Sequence, residues 1–152
     1  MGDLMDRVEL AYAAGYFDGE GMVTISKSVG SYGIRVALSN TYKPTVEWLH
    51  ENFGGVVSRA FKGSSKWRQA WRWQASGFVA YNFLIQVYSY LREKAPQADE
   101  ALAFYRLYGG CKERRALGQI GDCTNTRTSE QKADQEARYM RVRALKVVEY
   151  IA

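Results

Sequence analysis

The residues of this sequence best suited to chemistry lie near its N-terminus, in the run Ala13-Ala14-Gly15-Tyr16-Phe17-Asp18-Gly19-Glu20-Gly21. Two carboxylates separated by one glycine, at the end of an apolar periodic stretch, put a charged oxygen donor on a turn that solvent and substrate can reach. An oxygen-seeking ion such as Mg²⁺ is held by one or two carboxylates together with substrate phosphates. Beside a phosphodiester such an ion activates a water and steadies the leaving oxygen. Glu20 is the acid placed for that task. The residues before it have a second property. Ala11, Gly15 and Gly19 recur every four positions, with Ala14 and Asp18 beside them, so a helix here has a smooth side that another backbone can approach closely. One acidic turn per chain then predicts a two-fold dimer in which two such helices meet and bring two carboxylates to one centre. The plainer alternative is a glycine-rich helix stop with no chemistry attached.

These residues need elements to hold them. Asp6 with Glu9 three positions later forms a capping pattern, and Val8, Leu10, Ala11, Tyr12 and Ala14 follow without a breaker, predicting a helix that ends near Asp18. Alternation then takes over: Val23 and Ile25 share one face, Thr24 and Ser26 the other, and Ile34, Val36 and Leu38 alternate with Arg35, Ala37 and Ser39. The turn 30–33 makes this a hairpin. The order repeats, with a short helix over 45–53, a stop at Gly54-Gly55, and strands over 56–61 and 67–75. An apolar helix covers 78–91, and another opens at Pro96 and closes at Gly109-Gly110. The stretch 111–127 has no periodicity and reads as loop, and Thr128 with Gln131 caps a basic helix over about 128–150. The fold class is therefore α+β, αββαββα in order with extra C-terminal helices, and no linker divides 1–152.

Charge follows the strands. The stretches 22–40 and 56–75 contain Lys27, Arg35, Arg59, Lys62, Lys66, Arg68 and Arg72 and not one Asp or Glu. That suits a sheet lying against phosphates, although the low strand propensity of acids contributes. Base edges in a major groove are read by Arg, Gln, Asn, Ser and Thr; on the first hairpin these are Thr24, Ser26, Ser28, Arg35 and Ser39. On the second, Trp71 and Trp73 are assigned to the core, leaving Arg68, Arg72 and Gln74 to face DNA. Arg138 and Arg141 on the last helix extend the basic surface. The net charge of +5 points the same way. No run is long and apolar enough for a membrane span, and the N-terminus lacks the order of a secretory signal, so an intracellular protein is expected. Cys111 and Cys123, with His50 the one histidine, are too few for a zinc site and read as free thiols.

The run 13–21 resembles the signature of the LAGLIDADG homing endonucleases, with Ala13 for the first Leu and Glu20 as the penultimate acid. The resemblance covers the αββαββα order and fades after about Gly110. It implies a homodimeric nuclease that cuts both strands of a long pseudo-palindromic DNA site with Mg²⁺ or another divalent cation such as Mn²⁺ or Ca²⁺. Double-stranded DNA and a second copy are the implied partners, with no membrane or small-molecule substrate. It also implies that the Gly19 carbonyl helps Glu20 hold metal and that Asp18 supports helix packing and termination. Lys94, within Tyr90-Leu91-Arg92-Glu93-Lys94, aligns with a lysine that points into the active site. A water-positioning residue precedes the second helix in the family; the candidates are Asn40, Thr41 and Tyr42, of which Asn40 is taken. Two alternatives remain: a non-catalytic DNA- or RNA-binding module of the same fold, and an RNA-binding sheet using Trp67, Trp71 and Trp73.

Overall fold

The computed structural model describes residues 5–29, 31–110 and 127–151, with side chains through Lys146. The first helix, α1 (Arg7–Glu20), starts where the capping pattern predicts: the Asp6 carboxylate accepts from the backbone N–H groups of Val8 and Glu9. It runs two residues past the predicted stop and ends because Gly21 turns into extended backbone while its N–H still reaches the Phe17 carbonyl. A Cβ at Gly21 would lie 2.4 Å from Phe17 atoms. Only glycine lets a strand leave the helix so abruptly.

That strand, β1 (Gly21–Ser28), pairs antiparallel with β2 (Ser31–Asn40), with Thr24 opposite Arg35. Pro44 sits in the first turn of α2 (Lys43–Phe53), which ends at Gly54 and Gly55 with φ of 75° and 84°. The sheet is completed by β3 (Val56–Phe61) and β4 (Ala70–Ser76), giving the antiparallel order β1-β2-β4-β3. Then come α3 (Gly77–Val87), a 3₁₀ turn at Tyr88–Tyr90, α4 (Ala95–Tyr108) and α5 (Ser129–Ile151). The α+β class and αββαββα order hold. Two boundaries move. The predicted strand start at Trp67 falls instead in the β3–β4 connection, where Gly63 at φ 86° and a bond from the Ser64 N–H to the Trp67 carbonyl fold the chain on itself. The predicted 78–91 helix gives way at Val87 to the 3₁₀ turn. Cys111 and Cys123, and the loop expected over 111–127, lie outside the described residues apart from Arg127.

Alternation sorts the sheet as expected. Val23, Ile25, Ile34, Val36, Leu38, Trp73 and Ala75 are buried on one face, where they meet the helices. Phe83 of α3 is the hub, with ring centroids 5.1 Å from Phe17, 4.9 Å from Phe53 and 4.9 Å from Trp73. The Trp73 indole N–H donates to the Gly54 carbonyl at 2.8 Å, which satisfies its one polar atom inside the core. Burying side chains of this size stabilises by roughly 2–3 kcal/mol each. No described helix packs across the opposite face.

The basic helix α5 packs on α4 and on the helix side of β1. The Thr128–Gln131 cap forms in both directions, at 3.0 and 3.2 Å. Asp134 accepts from the Tyr108 hydroxyl at 2.5 Å and from Arg138 at 3.0 Å; Glu136 accepts from Tyr32 and, at 2.7 Å, from Lys27. Those donors hold both carboxylates below the usual range, the Tyr108 and Arg138 bonds acting on Asp134 and the Lys27 and Tyr32 bonds on Glu136. A lowered folded-state pKa gives stability that is complete above the ordinary carboxylate range and is lost as pH falls through the folded value. The melting temperature should therefore drop between about pH 5 and pH 3, and an Asp134→Asn/Glu136→Gln variant, melted across the same series, should show a smaller acid-induced drop.

Candidate active site and nucleic-acid face

Helix α1 has two unlike sides. Ala13, Ala14, Phe17 and Asp18 are buried in the protein's own core, whereas Ala11, Gly15, Gly19 and Glu20 are exposed. A Cβ at Gly15 or Gly19 would meet nothing within 4 Å. The small-residue stripe is thus bare, but it consists of Ala11, Gly15 and Gly19, flanked by Val8 and Tyr12, which are 75% and 53% exposed. Ala14 and Asp18 do not belong to it: the helical phase turns them inward, against the sequence-based placement at the interface.

Asp18 has a different task. Its two carboxylate oxygens accept from the backbone N–H groups of Arg92 at 2.8 Å and Lys94 at 2.9 Å. Lys94 is the N-cap of α4, and its carbonyl accepts the Ala98 N–H at 2.9 Å. One buried carboxylate thus ties the turn that carries Glu20 to the loop that carries Lys94. These residues are 74 positions apart or more in sequence, and the structure brings them to one end of α1.

Asn40 ends β2, opposite Trp71 on the helix-side face. Its Oδ1 accepts the Tyr42 N–H at 2.8 Å. Tyr16 stands one helical turn before Glu20. Burial pushes its phenol above the ordinary range, and the Glu20 and Tyr12 charges add to this. Sequence reasoning passed over Tyr16 as filler within the signature, although its four-residue spacing from Glu20 places the two on one helix side.

The open face of the sheet has Thr24, Ser26 and Ser28 from β1, Arg35 and Ser39 from β2, and Arg72 and Gln74 from β4, all at one parity in the strand register. Arg72 is exposed and donates to Ser39 Oγ at 3.2 Å. Lys62, Lys66 and Arg68 lie in the exposed β3–β4 connection. Arg59 departs from the expected placement: it pairs with Trp71 on the other face, its guanidinium 5.8 Å from the Trp71 ring centroid, with Lys43 at 4.6 Å from the same ring. Arg138 also departs, since Glu100 at 3.4 Å and Asp134 at 3.0 Å engage it and its side chain is only 19% exposed. Arg141 is more open but lies 3.5 Å from Glu100. Both are on the helix layer, away from Arg72 and Gln74.

Among the described residues no three His, Cys, Asp or Glu converge on a metal-sized space. The donors at the end of α1 are one exposed carboxylate, Glu20, and the last helical carbonyls, Gly19 among them, which lack partners within the helix. That all-oxygen set fits Mg²⁺, which keeps waters and shares its shell with substrate phosphates.

An antiparallel sheet open on one face, with helices on the other and an acid-bearing helix end feeding its first strand, defines a fold seen in solved DNA-binding enzymes. The chain has the fold of the LAGLIDADG homing endonucleases. The homing endonuclease I-CvuI in complex with DNA matches with a TM-score of 0.59 at 15% identity over 90% of this chain and 95% of that one. The group I intron-encoded homing endonuclease I-CeuI complexed with DNA matches with 0.53 at 15% identity, over 81% of this chain and 65% of that one. The LAGLIDADG meganuclease I-AabMI bound to uncleaved DNA matches with 0.51 at 15% identity, over 73% of this chain but 40% of that one. No family model matches the sequence, and neither does any curated protein.

Removing the Asp18 carboxylate leaves two backbone N–H groups without their charged acceptor. Asp18→Ala should cost about 2–3 kcal/mol, lowering the melting temperature by roughly 5–10 °C. Glu20→Ala at the exposed helix end should leave it within about 2 °C, since it breaks no buried contact. Thermal melts of the two variants check the contrast.

Proposed function

We propose that the chain is a site-specific double-strand DNA endonuclease that works as a homodimer with a divalent cation. One observation carries the reading: Glu20 is exposed at the end of a helix whose bare stripe of Ala11, Gly15 and Gly19 is fitted to another helix, beside an acid-free sheet face. Packing two such stripes about a two-fold axis brings the two Glu20 residues together. I-AabMI, 40% of whose chain is covered here, is long enough to hold two such units, which is consistent with two copies of this shorter chain doing the same work.

In this reading Thr24, Ser26, Ser28, Arg35, Ser39, Arg72 and Gln74 read base edges in the major groove, and Lys62, Lys66 and Arg68 hold the backbone. Glu20 and the Gly19 carbonyl hold the cation. Bound there, a divalent ion supplies an activated water and charge stabilisation at the leaving oxygen. The Lys94 ammonium stabilises negative charge growing on the phosphate, and Asp18 keeps its backbone in place.

Cleavage selection on a randomised duplex library should recover a pseudo-palindromic site, cut only when Mg²⁺ or Mn²⁺ is present. On that site Glu20→Gln should lower the single-turnover rate by at least about 10³-fold and keep DNA affinity within a few-fold. Uncut DNA with the native protein, bound equally by both forms, would mark a non-catalytic DNA-binding module instead. The dimer is tested separately. Gly15→Leu puts a Cβ where nothing lies within 4 Å in one copy and removes a helix-interior glycine worth about 1 kcal/mol. It should therefore leave the fold intact while sedimentation shows self-association lost and cleavage lost with it.

A further inference from the structure

Two cations on the helix side of the sheet converge on one ring. The Lys43 ammonium lies 4.6 Å from the centroid of the half-buried Trp71 indole and the Arg59 guanidinium 5.8 Å from it, so the two charges are no farther apart than those distances together. The face of an indole attracts each cation, but like charges held this close repel each other. Among the described residues, the contact between Lys43 and Glu47 at 2.6 Å is the one ion pair that either cation makes. Two positive charges against one negative leave the cluster with a positive surplus. It is also open to solvent: Arg59 is exposed, and the Lys43 side chain is 43% exposed.

The strand register says where this cluster stands. Arg59 pairs with Trp71 and Trp71 with Asn40, while Leu38, two residues before Asn40, pairs with Gly21, the residue that follows Glu20. The cluster is therefore at the end of the sheet where α1 delivers its acid, two strand spacings or about 10 Å across from β1. The turn between β1 and β2 is at the other end. Lying on the helix side, neither cation can read a base edge presented to the open face. A sugar–phosphate backbone that crosses the end of the sheet is the anion within reach of both.

Resting on the endonuclease reading above, we propose that Lys43 and Arg59, set over Trp71, form a phosphate clamp that grips the DNA backbone next to the cleavage centre. A guanidinium fork and an ammonium point charge both suit phosphate oxygens, and an arriving phosphate relieves the repulsion between them. The open face selects the sequence, whereas the clamp fixes how the backbone lies against Glu20.

Lys43→Met/Arg59→Met removes both charges and leaves apolar side chains against the indole. Since both sites are open to solvent, the melting temperature should stay within about 2 °C. Binding to a random-sequence duplex, followed by fluorescence anisotropy across a salt series without metal, should show a log K against log salt slope shallower by about one for each charge removed per copy. Each single variant should give about half of that change. On the selected site, in a Glu20→Gln background that leaves the DNA uncut, a neutral methylphosphonate within about four nucleotides of the cut should weaken binding about 3-fold or more. It should weaken the Lys43→Met/Arg59→Met form no further, because the charge it would lose is already gone. An unchanged salt slope, or a methylphosphonate effect equal in both forms or found only at the outer ends of the site, would overturn the clamp and leave the endonuclease reading in place. A native protein that cuts no DNA, while the salt slope still falls in the variant, would overturn the endonuclease reading and leave the phosphate contact standing.

Discussion

The buried carboxylate of Asp18, bonded to the backbone N–H groups of Arg92 and Lys94, is the contact on which the arrangement of the site depends. An ionised acid with limited access to water is stable only if its oxygens are satisfied, and backbone amides do this at short range without needing a counter-ion. The consequence is geometric. The end of α1 and the start of α4 cannot move independently, so the exposed Glu20 and the Lys94 cap keep a fixed relation although they come from opposite halves of the chain. The next residue but one is free to be chemical because Asp18 is structural. A pair of acids that looks like one motif in the sequence is divided between two tasks by 200° of helical rotation.

The same rotation explains the character of α1. Ala13, Ala14 and Phe17 bury one side under α3 and the sheet, while Ala11, Gly15 and Gly19 leave the other side nearly flat. Glycine in a helix interior costs stability relative to alanine, and two of them on an exposed stripe are unexplained by anything within one copy, since each has empty space where a Cβ would stand. Residues that weaken the isolated fold at that position make physical sense if close approach of a second backbone recovers the loss. The apolar flank of Val8 and Tyr12 adds surface to that contact, and the Tyr12 ring also steadies Tyr16.

Much of this was legible in the sequence, and the exceptions have physical causes. Strict alternation in 22–26 and 34–39 identified both the strands and their buried faces, because a half-covered sheet leaves a period of two. The caps at Asp6 and Thr128 fixed helix starts through local chemistry alone. Helical phase was harder. Small residues at positions 11, 14, 15, 18 and 19 cover too wide an arc to say which would be inside, and the choice was made by Phe17 inserting against Phe83. Arg59 was misplaced because two adjacent apolar residues, Val56 and Val57, leave the parity of β3 open, and the ladder puts Arg59 on the side of Val57, Trp71 and Trp73. The Asp18 bonds join segments distant in sequence through backbone N–H groups, which leave no compositional trace.

The division of charge gives the layered fold its direction. The strands carry no acid, whereas Glu100, Asp134 and Glu136 lie in the helix layer, paired there with Arg138, Arg141 and Lys27. Pairing neutralises basic side chains that would otherwise attract a polyanion to the wrong side, and fields from exposed charges fade beyond about 8 Å in physiological salt. What remains unpaired by acids on the open face, Arg35, Arg72 and the lysines of the β3–β4 connection, is a small surplus concentrated on one surface. The modest net charge of +5 therefore understates the local potential there. In the proposed function, a duplex steered to that surface would meet the polar rows of β1, β2 and β4 first, and would reach Glu20 only where β1 returns to the end of α1. The open sheet face and the exposed Glu20 are thus connected through the strand that Gly21 begins.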